Sequence, residues 1–146
     1  MNKKKKLTIE EIFALALQNH KKNNLKVAKN YYNETLRMNL NHVDAHNNLG
    51  IIFFNLGEYQ KAMSCFKKVI QIQPNYAGAY YNLGNIHKEL GEHQKSINCY
   101  EKAIQINPDY VDAHNNLGII FYKLVEYQKS ISCYEKAITI NPNNAG

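Results

Sequence analysis

The 146-residue sequence contains no tryptophan, only three prolines and seven glycines, and no long apolar run. A membrane-spanning helix needs roughly 18 or more mainly apolar residues in succession, so the sequence predicts no membrane segment. Glu10 and Glu11 stand where the apolar core of a signal peptide would follow the basic N-terminus. We therefore expect a cytoplasmic protein.

Cysteine is also scarce, and its spacing is regular. Cys65, Cys99 and Cys133 follow one another at equal intervals along the chain. Such spacing indicates a repeated sequence rather than a metal-binding motif. Equivalent positions in stacked helical repeats lie roughly 10 Å apart, whereas a disulfide needs Cα atoms within about 7 Å. We expect three free thiols.

The net charge of +6 is concentrated at the N-terminus. Lys3, Lys4, Lys5 and Lys6 carry four positive charges, and the rest of the chain has 14 basic against 12 acidic residues. A short lysine run is typical of a solvated, disordered start. Residues 1–8 are therefore predicted to be a disordered basic tail, and nucleic acid is not an expected partner.

The sequence repeats itself. "VDAHNNLGIIF" occurs at residues 43–53 and again at 111–121, and the related "AGAYYNLGNIH" occupies residues 77–87, midway between the two copies. The step from one segment to the next equals the step between the cysteines. The same step separates the members of two further sets, which are Gly50, Gly84, Gly118 and Pro74, Pro108, Pro142.

Within each repeated unit, apolar residues recur three and four positions apart, as on one face of a helix. In the second unit, Gly57 separates two such stripes and Pro74 follows the second. Glycine suits a left-handed helix end, and proline cannot continue the preceding helix. Each unit is thus predicted to be two antiparallel helices. Neither helix can bury its stripe alone, so the units must stack in an all-α fold.

These residues resemble the tetratricopeptide repeat. Its pattern of aromatic, Leu-Gly, aromatic, Ala-x-x-x-Phe and Pro is matched in the second unit by His46, Leu49, Gly50, Phe53, Ala62, Phe66 and Pro74. The resemblance implies an all-α, right-handed superhelical solenoid of antiparallel helix pairs. Four repeats are expected, a divergent one at 9–42 and three more at 43–76, 77–110 and 111–144.

The last repeat departs from the pattern in two ways. Ala145 and Gly146 match the start of a further unit, so the array is expected to be truncated at residue 146, with an apolar face left uncovered. Val125 stands where Gly57 and Gly91 mark the helix–helix turn. A β-branched residue disfavours the left-handed conformation by ~1–2 kcal/mol. Either the turn forms nevertheless, or the two helices fuse and a second molecule completes the stack in a domain-swapped dimer.

No catalytic, cofactor or metal site is predicted. The sequence has no phosphate-binding glycine loop or nucleophile elbow. His46 and His114 occupy the first aromatic position of their repeats, two units apart, and are expected to pack rather than to bind metal. We therefore expect a protein that is not an enzyme.

The asparagines are the candidates for binding. Asn48, Asn82 and Asn116 precede Leu-Gly in successive units, with Asn47 and Asn115 beside two of them. The resemblance implies that first helices line a concave groove. A side-chain amide both donates and accepts hydrogen bonds, so a row of them could pair with the backbone of an extended peptide. The alternative is that these amides tie helices together or face water.

Further groove positions are predicted on the same helices. They supply apolar contacts and additional polar groups for a peptide: Ile51, Phe54, Tyr81, Asn85, Ile119 and Tyr122. Tyr32, Tyr100 and Tyr134 are expected to be core residues instead.

The predicted function is a protein-interaction scaffold that binds a peptide or partner protein. Chaperone-binding members of the family grip a carboxylate with Lys and Arg on first helices, and those positions here hold Asn and Tyr. "DAHNNLG" is more similar to the asparagine-ladder arrays of O-linked N-acetylglucosamine transferases and of related bacterial repeat proteins. Two alternatives stay open: a substrate-recognition fragment of a larger glycosyltransferase, or a module that self-associates through its last repeat into a homo-oligomer.

Overall fold

The computed structural model describes residues 3–144, and this part of the chain is entirely helical apart from its turns and first residues. A 3-10 helix, Pro142–Asn144, follows the last α-helix. The α-helices of the described part are α1 (Ile9–Lys21), α2 (Leu25–Met38), α3 (Val43–Asn55), α4 (Tyr59–Ile72), α5 (Ala77–Glu89), α6 (His93–Ile106), α7 (Val111–Lys123) and α8 (Tyr127–Ile140).

The helices form packed pairs, each joined by a tight turn. Corresponding helices of successive pairs begin at equal intervals along the chain, as α1, α3, α5 and α7 do at residues 9, 43, 77 and 111. The predicted all-α fold of helix pairs is confirmed. The match of Ala145 and Gly146 to the start of a repeat lies outside the described residues.

Each pair turns through one residue with a positive φ. These residues are Asn23 (61°), Gly57 (74°), Gly91 (71°) and Val125 (63°). At the last turn, the Glu126 N–H donates to the Phe121 carbonyl at 2.8 Å and the Val125 N–H to the Tyr122 carbonyl at 3.0 Å. This is the Schellman pattern of helix ends. The last turn therefore forms despite its valine, and the alternative of one fused helix is wrong.

The chain divides into two compact units, residues 1–72 and residues 73–146. In unit 1, α1 pairs with α2, α3 pairs with α4, and α2 packs against α3. Its core contains the fully buried Tyr32 and Ile52, with Ala16 and Ala28 between the helices. The predicted core position of Tyr32 is confirmed.

Unit 2 has the same construction. α5 pairs with α6, α7 pairs with α8, and α6 packs against α7. Tyr100 and Ile120 are fully buried in its core, so Tyr100 is also a core residue as predicted. Tyr134, on α8, is only half-buried, so its predicted core position is correct only in part.

A glycine on each of α3, α5 and α7 allows the two helices of the pair to approach closely. A Cβ added at Gly84 would lie 2.7 Å from Cε1 of Tyr100, and one added at Gly50 would lie 2.7 Å from Cε1 of Phe66. Such distances are below van der Waals contact. The glycine–aromatic contact explains why both residues recur in the last three repeats, whereas the first repeat has Ala16 and Tyr32 at these positions.

All three cysteines are free thiols, as the spacing predicted. Burial raises the pKa of Cys65 to about 11, and it also raises the pKa values of Cys99 and Cys133. Within residues 3–144, no helix combines the length and the apolar character that crossing a bilayer requires.

Candidate functional site

The residues predicted to bind a peptide all lie on the first helix of a pair, namely α3, α5 or α7. Most are half-buried. Asn47 is the most enclosed, with 9% of its surface exposed, and Tyr122 is the most open at 60%. Asn47 therefore offers little surface to a ligand. Unit 1 contributes Asn47, Asn48, Ile51 and Phe54, and unit 2 contributes Tyr81, Asn82, Asn85, Asn115, Asn116, Ile119 and Tyr122.

In unit 2, the structure brings together three of the residues predicted to bind a peptide, which are Tyr81, Asn85 and Asn116. Asn116 Nδ2 lies 3.0 Å from Asn85 Oδ1 and 3.2 Å from the Tyr81 hydroxyl. It also lies 3.4 Å from the hydroxyl of Tyr100, which itself donates to Asn85 Oδ1. The amino group of Asn116 is thus held between α5 and the buried tyrosine of α6. Its carbonyl oxygen accepts no hydrogen bond from the described residues.

The tyrosine rings add an aromatic layer to this cluster. The Tyr81 ring stacks on Tyr110 with centroids 5.0 Å apart and lies 5.7 Å from Tyr100. Burial is the main cause that raises the pKa of Tyr110 to about 12, and it also raises the pKa of Tyr100. Both hydroxyls therefore stay protonated at neutral pH and can donate.

Unit 1 repeats the arrangement with Asn48. Burial raises the pKa of the Tyr32 phenol, and a hydrogen bond from the Asn48 side chain lowers it by a smaller amount. The Tyr32 hydroxyl also lies 3.0 Å from Nδ1 of His20. In both units, a buried tyrosine of a second helix thus meets the asparagine of the next first helix, at the same separation along the chain.

The remaining polar candidates have different surroundings. Asn82 interacts with a neighbouring group, and the residue at the corresponding separation before it is Phe66, which has no hydroxyl. Asn115 lines a small recess beside Ala137, Ile138 and Asn141 near the end of α8.

The apolar candidates pack partly within the protein. The Phe54 ring lies 5.6 Å from the Tyr59 ring, and the Tyr122 ring lies 5.4 Å from the Tyr127 ring, each across a helix–helix turn. Ile51 and Ile119 are half-buried. These side chains keep enough exposed surface to contact a ligand, but their neighbours restrict their rotamers.

The two histidines at the first aromatic position hold the segment that precedes their helix. His46 Nε2 lies 2.7 Å from the Leu40 carbonyl, and His114 Nε2 lies 2.9 Å from the Pro108 carbonyl. Each ring nitrogen donates to a backbone oxygen. Among the described residues, no group of three or more His, Cys, Asp or Glu side chains is arranged to hold a metal ion.

Sequence reasoning missed the hydroxyl partners of the asparagines. Tyr32 and Tyr100 were predicted only as core residues, whereas their hydroxyls also interact with Asn48 and Asn116. The constant separation between tyrosine and asparagine, present twice, was the available signal. It also missed a depression in unit 1, with a volume of about 570 Å³, lined by Leu17, Gln18, His20, Lys21 and Asn48.

Comparison with solved structures finds the same fold elsewhere. A crystal structure of MamA has a TM-score of 0.85 and 25% identity, with 94% of this chain and 81% of that chain covered. A second MamA crystal structure has a TM-score of 0.80 and 28% identity, with coverage of 92% and 73%. The structure of the APC/C hetero-tetramer Cut9–Hcn1 has a TM-score of 0.85, covering 94% of this chain and 28% of that chain. At 17% identity it shows the fold alone.

Family models match more than half of the sequence. A model described as "TPR repeat" matches residues 50–91 and 84–125, and one described as "Tetratricopeptide repeat" matches residues 111–144. A search of the curated proteins found no match. Proteins with these repeats generally mediate protein–protein interactions. The helix pairs, the glycine–aromatic contacts and these matches together show that the chain belongs to the tetratricopeptide repeat family.

Proposed function

We propose that this protein is an interaction scaffold and that the first helices of its repeats bind an extended peptide segment of a partner protein. The family membership supports the general role. The observation that carries the peptide-binding proposal is the oriented amide of Asn116, whose amino group is held by Asn85 and Tyr81. Its carbonyl oxygen is left to accept a hydrogen bond from a peptide N–H.

Orientation matters because a flexible amide must lose rotamer freedom when it binds. Ordering a rotamer-rich side chain on binding costs about 0.5–1.5 kcal/mol. The hydrogen bonds inside the protein already hold the Asn116 side chain, and Tyr32 does the same for Asn48. Each unit therefore carries one pre-oriented acceptor for a peptide backbone, together with half-buried apolar side chains such as Ile51 and Ile119.

The test uses peptides selected from a random library on the wild-type chain, with affinity measured by fluorescence polarisation. Asn116→Ala should weaken binding of the selected peptides by about five- to tenfold, the loss of one hydrogen bond worth about 1 kcal/mol. Tyr100→Phe serves as the matched control. It removes a hydroxyl that touches Asn116 but keeps the amide, and Phe66 occupies the equivalent position in the second repeat.

The two variants separate ligand binding from a purely structural role. If Asn116 contacts the peptide, Asn116→Ala loses much more affinity than Tyr100→Phe at comparable stability. If the asparagine only ties α7 to α5 and α6, both variants lower the unfolding free energy and neither changes affinity. That second result would contradict the proposal, and circular dichroism would provide the stability values.

Self-association is a second candidate function, and the exposed face of α8 favours it. Tyr127, Ile131 and Ile138 lie on one side of this helix, each about half exposed. Contiguous exposed apolar residues of this kind often mark interaction sites. If a second copy binds there, light scattering should show a mass that rises above 16.9 kDa with concentration.

Ile131→Glu should keep that mass at the monomer value over the same concentration range. Leu90→Glu is the control and should leave association unchanged. Leu90 directly follows α5 and is about as exposed as Ile131. A concentration-independent monomer for the wild type would refute this second candidate.

A further inference from the structure

Positive charge is concentrated in unit 1. Residues 1–72 carry twelve Lys or Arg against five Asp or Glu, a net charge of +7, whereas residues 73–146 carry six against seven, a net charge of −1. Without Lys3 to Lys6, unit 1 still has an excess of three positive charges. A charged surface of this kind attracts partners of opposite sign and accelerates their association.

The depression of unit 1 is formed by the C-terminal half of α1 and by α3. Leu17 is 42% exposed on its wall, beside the exposed Gln18 and Lys21 and the half-buried His20 and Asn48. The volume of about 570 Å³ lies in the range of ligand-binding pockets.

Lys21 is not neutralised within its unit. The ion pairs described in residues 3–72 join Lys5 to Glu11, Arg37 to Glu34 and Lys61 to Glu58. None of the described carboxylates of unit 1 lies within ion-pair distance of the Lys21 ammonium group. Its charge is therefore available to a ligand in the depression.

The hydrogen bonds around Tyr32 determine what His20 presents. Burial lowers the pKa of His20 and raises that of Tyr32, so both groups are neutral at pH 7. The Tyr32 hydroxyl lies 3.0 Å from His20 Nδ1 and can donate its proton to that nitrogen when the imidazole is neutral. The remaining imidazole proton is then on Nε2, which makes His20 a hydrogen-bond donor.

We propose that this depression binds an Asp or Glu side chain of the peptide, and that an adjacent aliphatic side chain of the same peptide packs against Leu17. The carboxylate would interact with the Lys21 ammonium and the His20 Nε2–H, and the Asn48 carbonyl would accept from the peptide backbone. This inference rests on the proposed peptide-binding function and adds the chemistry of the partner, which is an acidic segment with aliphatic residues.

An acidic peptide fits better than a nucleic acid. Binding to a phosphate backbone draws on several cations along a track and often on stacking aromatic rings. The described residues that line the depression supply one ammonium group, an exposed leucine, amides and one imidazole.

The experiment selects peptides from a random library on the wild-type chain and compares their composition with the unselected library. We expect the selected peptides to be enriched in Asp or Glu next to Leu, Ile or Val. Affinities are then measured for one selected peptide and for its Glu→Gln or Asp→Asn counterpart, against wild type and Lys21→Gln.

Lys21→Gln should weaken binding of the acidic peptide about two- to fivefold, as expected for an exposed charge pair. It should weaken binding of the amide counterpart much less. This coupling between protein and peptide substitutions is the decisive quantity. Lys123→Gln is the matched control, because Lys123 is the equivalent residue of the last repeat and lies in unit 2. It should leave both affinities unchanged.

The outcomes distinguish this inference from the function on which it rests. If peptides are selected without acidic enrichment, or if Lys21→Gln weakens both peptides equally, the acidic specificity is wrong while peptide binding stands. If no peptide is selected, both are wrong. If an oligothymidylate binds through Lys21 more tightly than any selected peptide, the partner class is wrong.

Discussion

Val125 holds the left-handed position of the last helix–helix turn, and its replacement by glycine should stabilise the protein. Its φ of 63° is close to those of Gly57 and Gly91 at the equivalent turns. The left-handed conformation costs an L-residue ~1–2 kcal/mol. For a β-branched residue the cost is at the upper end of this range, because its Cβ substituents crowd the backbone. Val125→Gly removes that strain.

Two effects of the substitution oppose the gain. Val125 is 66% exposed, so removal of its partly buried side chain costs about 0.5 kcal/mol. Glycine also increases the conformational entropy of the unfolded chain, which costs about 0.5–1 kcal/mol. With about 2 kcal/mol of strain relieved, the net stabilisation should be about 0.5–1 kcal/mol.

The reverse substitution tests the same reasoning in a turn that already has glycine. A Cβ added at Gly91 meets no other atom within 4 Å, so Gly91→Val introduces backbone strain without a clash. It should destabilise the protein by about 1 kcal/mol. Val125→Ala is the control, because alanine removes the two methyl groups but keeps Cβ and thus most of the strain.

The measurement is urea unfolding followed by circular dichroism. Stabilities are compared between variants whose unfolding free energy falls with urea concentration at the same slope. Val125→Gly should raise the midpoint, Gly91→Val should lower it, and Val125→Ala should leave it nearly unchanged or lower it slightly. If Val125→Gly and Gly91→Val shift the midpoint in the same direction, backbone strain is not what distinguishes these turns.

Three further predictions follow from individual packing and titration sites. Gly84→Ala should lower the unfolding free energy by about 1–3 kcal/mol, because its Cβ would lie 2.7 Å from the Tyr100 ring; a loss below about 0.5 kcal/mol would refute the close contact. Burial lowers the pKa of His20 in the folded state below its ordinary value of 6.5. The unfolded chain therefore binds more protons at acidic pH, and the free energy of unfolding should fall from pH 7 to pH 5. His20→Gln should reduce that fall when urea midpoints are compared at the two values, and an unchanged pH dependence would contradict the assignment. Since burial raises the pKa of Cys65 to about 11, its thiolate is scarce at pH 8, and a single-cysteine chain with Cys65 should react with Ellman's reagent more slowly than one with the half-buried Cys133; equal rates would refute this.

The sequence by itself determined the helical architecture. The constant repeat interval, the glycine at three of the first helices and the proline after the second helix are local signals. Each acts within a few residues, by setting backbone conformation or by removing a Cβ. Even the exceptional turn at Val125 could be located in the sequence, because its equivalents Gly57 and Gly91 are visible there.

Whether that turn would form could not be decided from local preference alone. The strain at Val125 is small beside the packing of α7 against α8, and packing is a tertiary effect. The sequence indicated the conflict between the two, and the folded structure shows that packing prevails.

The hydrogen-bond partners of the asparagines were decided only by the tertiary structure. Helical periodicity places Asn48 and Asn116 on a helix face, but their partners depend on how neighbouring helices pack. Asn116 meets Tyr81 and Asn85, which are 35 and 31 residues away in the chain.

The depression of unit 1 was likewise decided by packing. Leu17, His20 and Lys21 lie on α1, and Asn48 joins them only because α3 lies beside it. Repetition predicts which positions are equivalent, whereas the chemistry of each surface depends on the residues that differ between repeats. His20 corresponds to Phe54, Lys88 and Tyr122 in the later repeats, so the first repeat alone can combine an imidazole with the Lys21 ammonium at these positions.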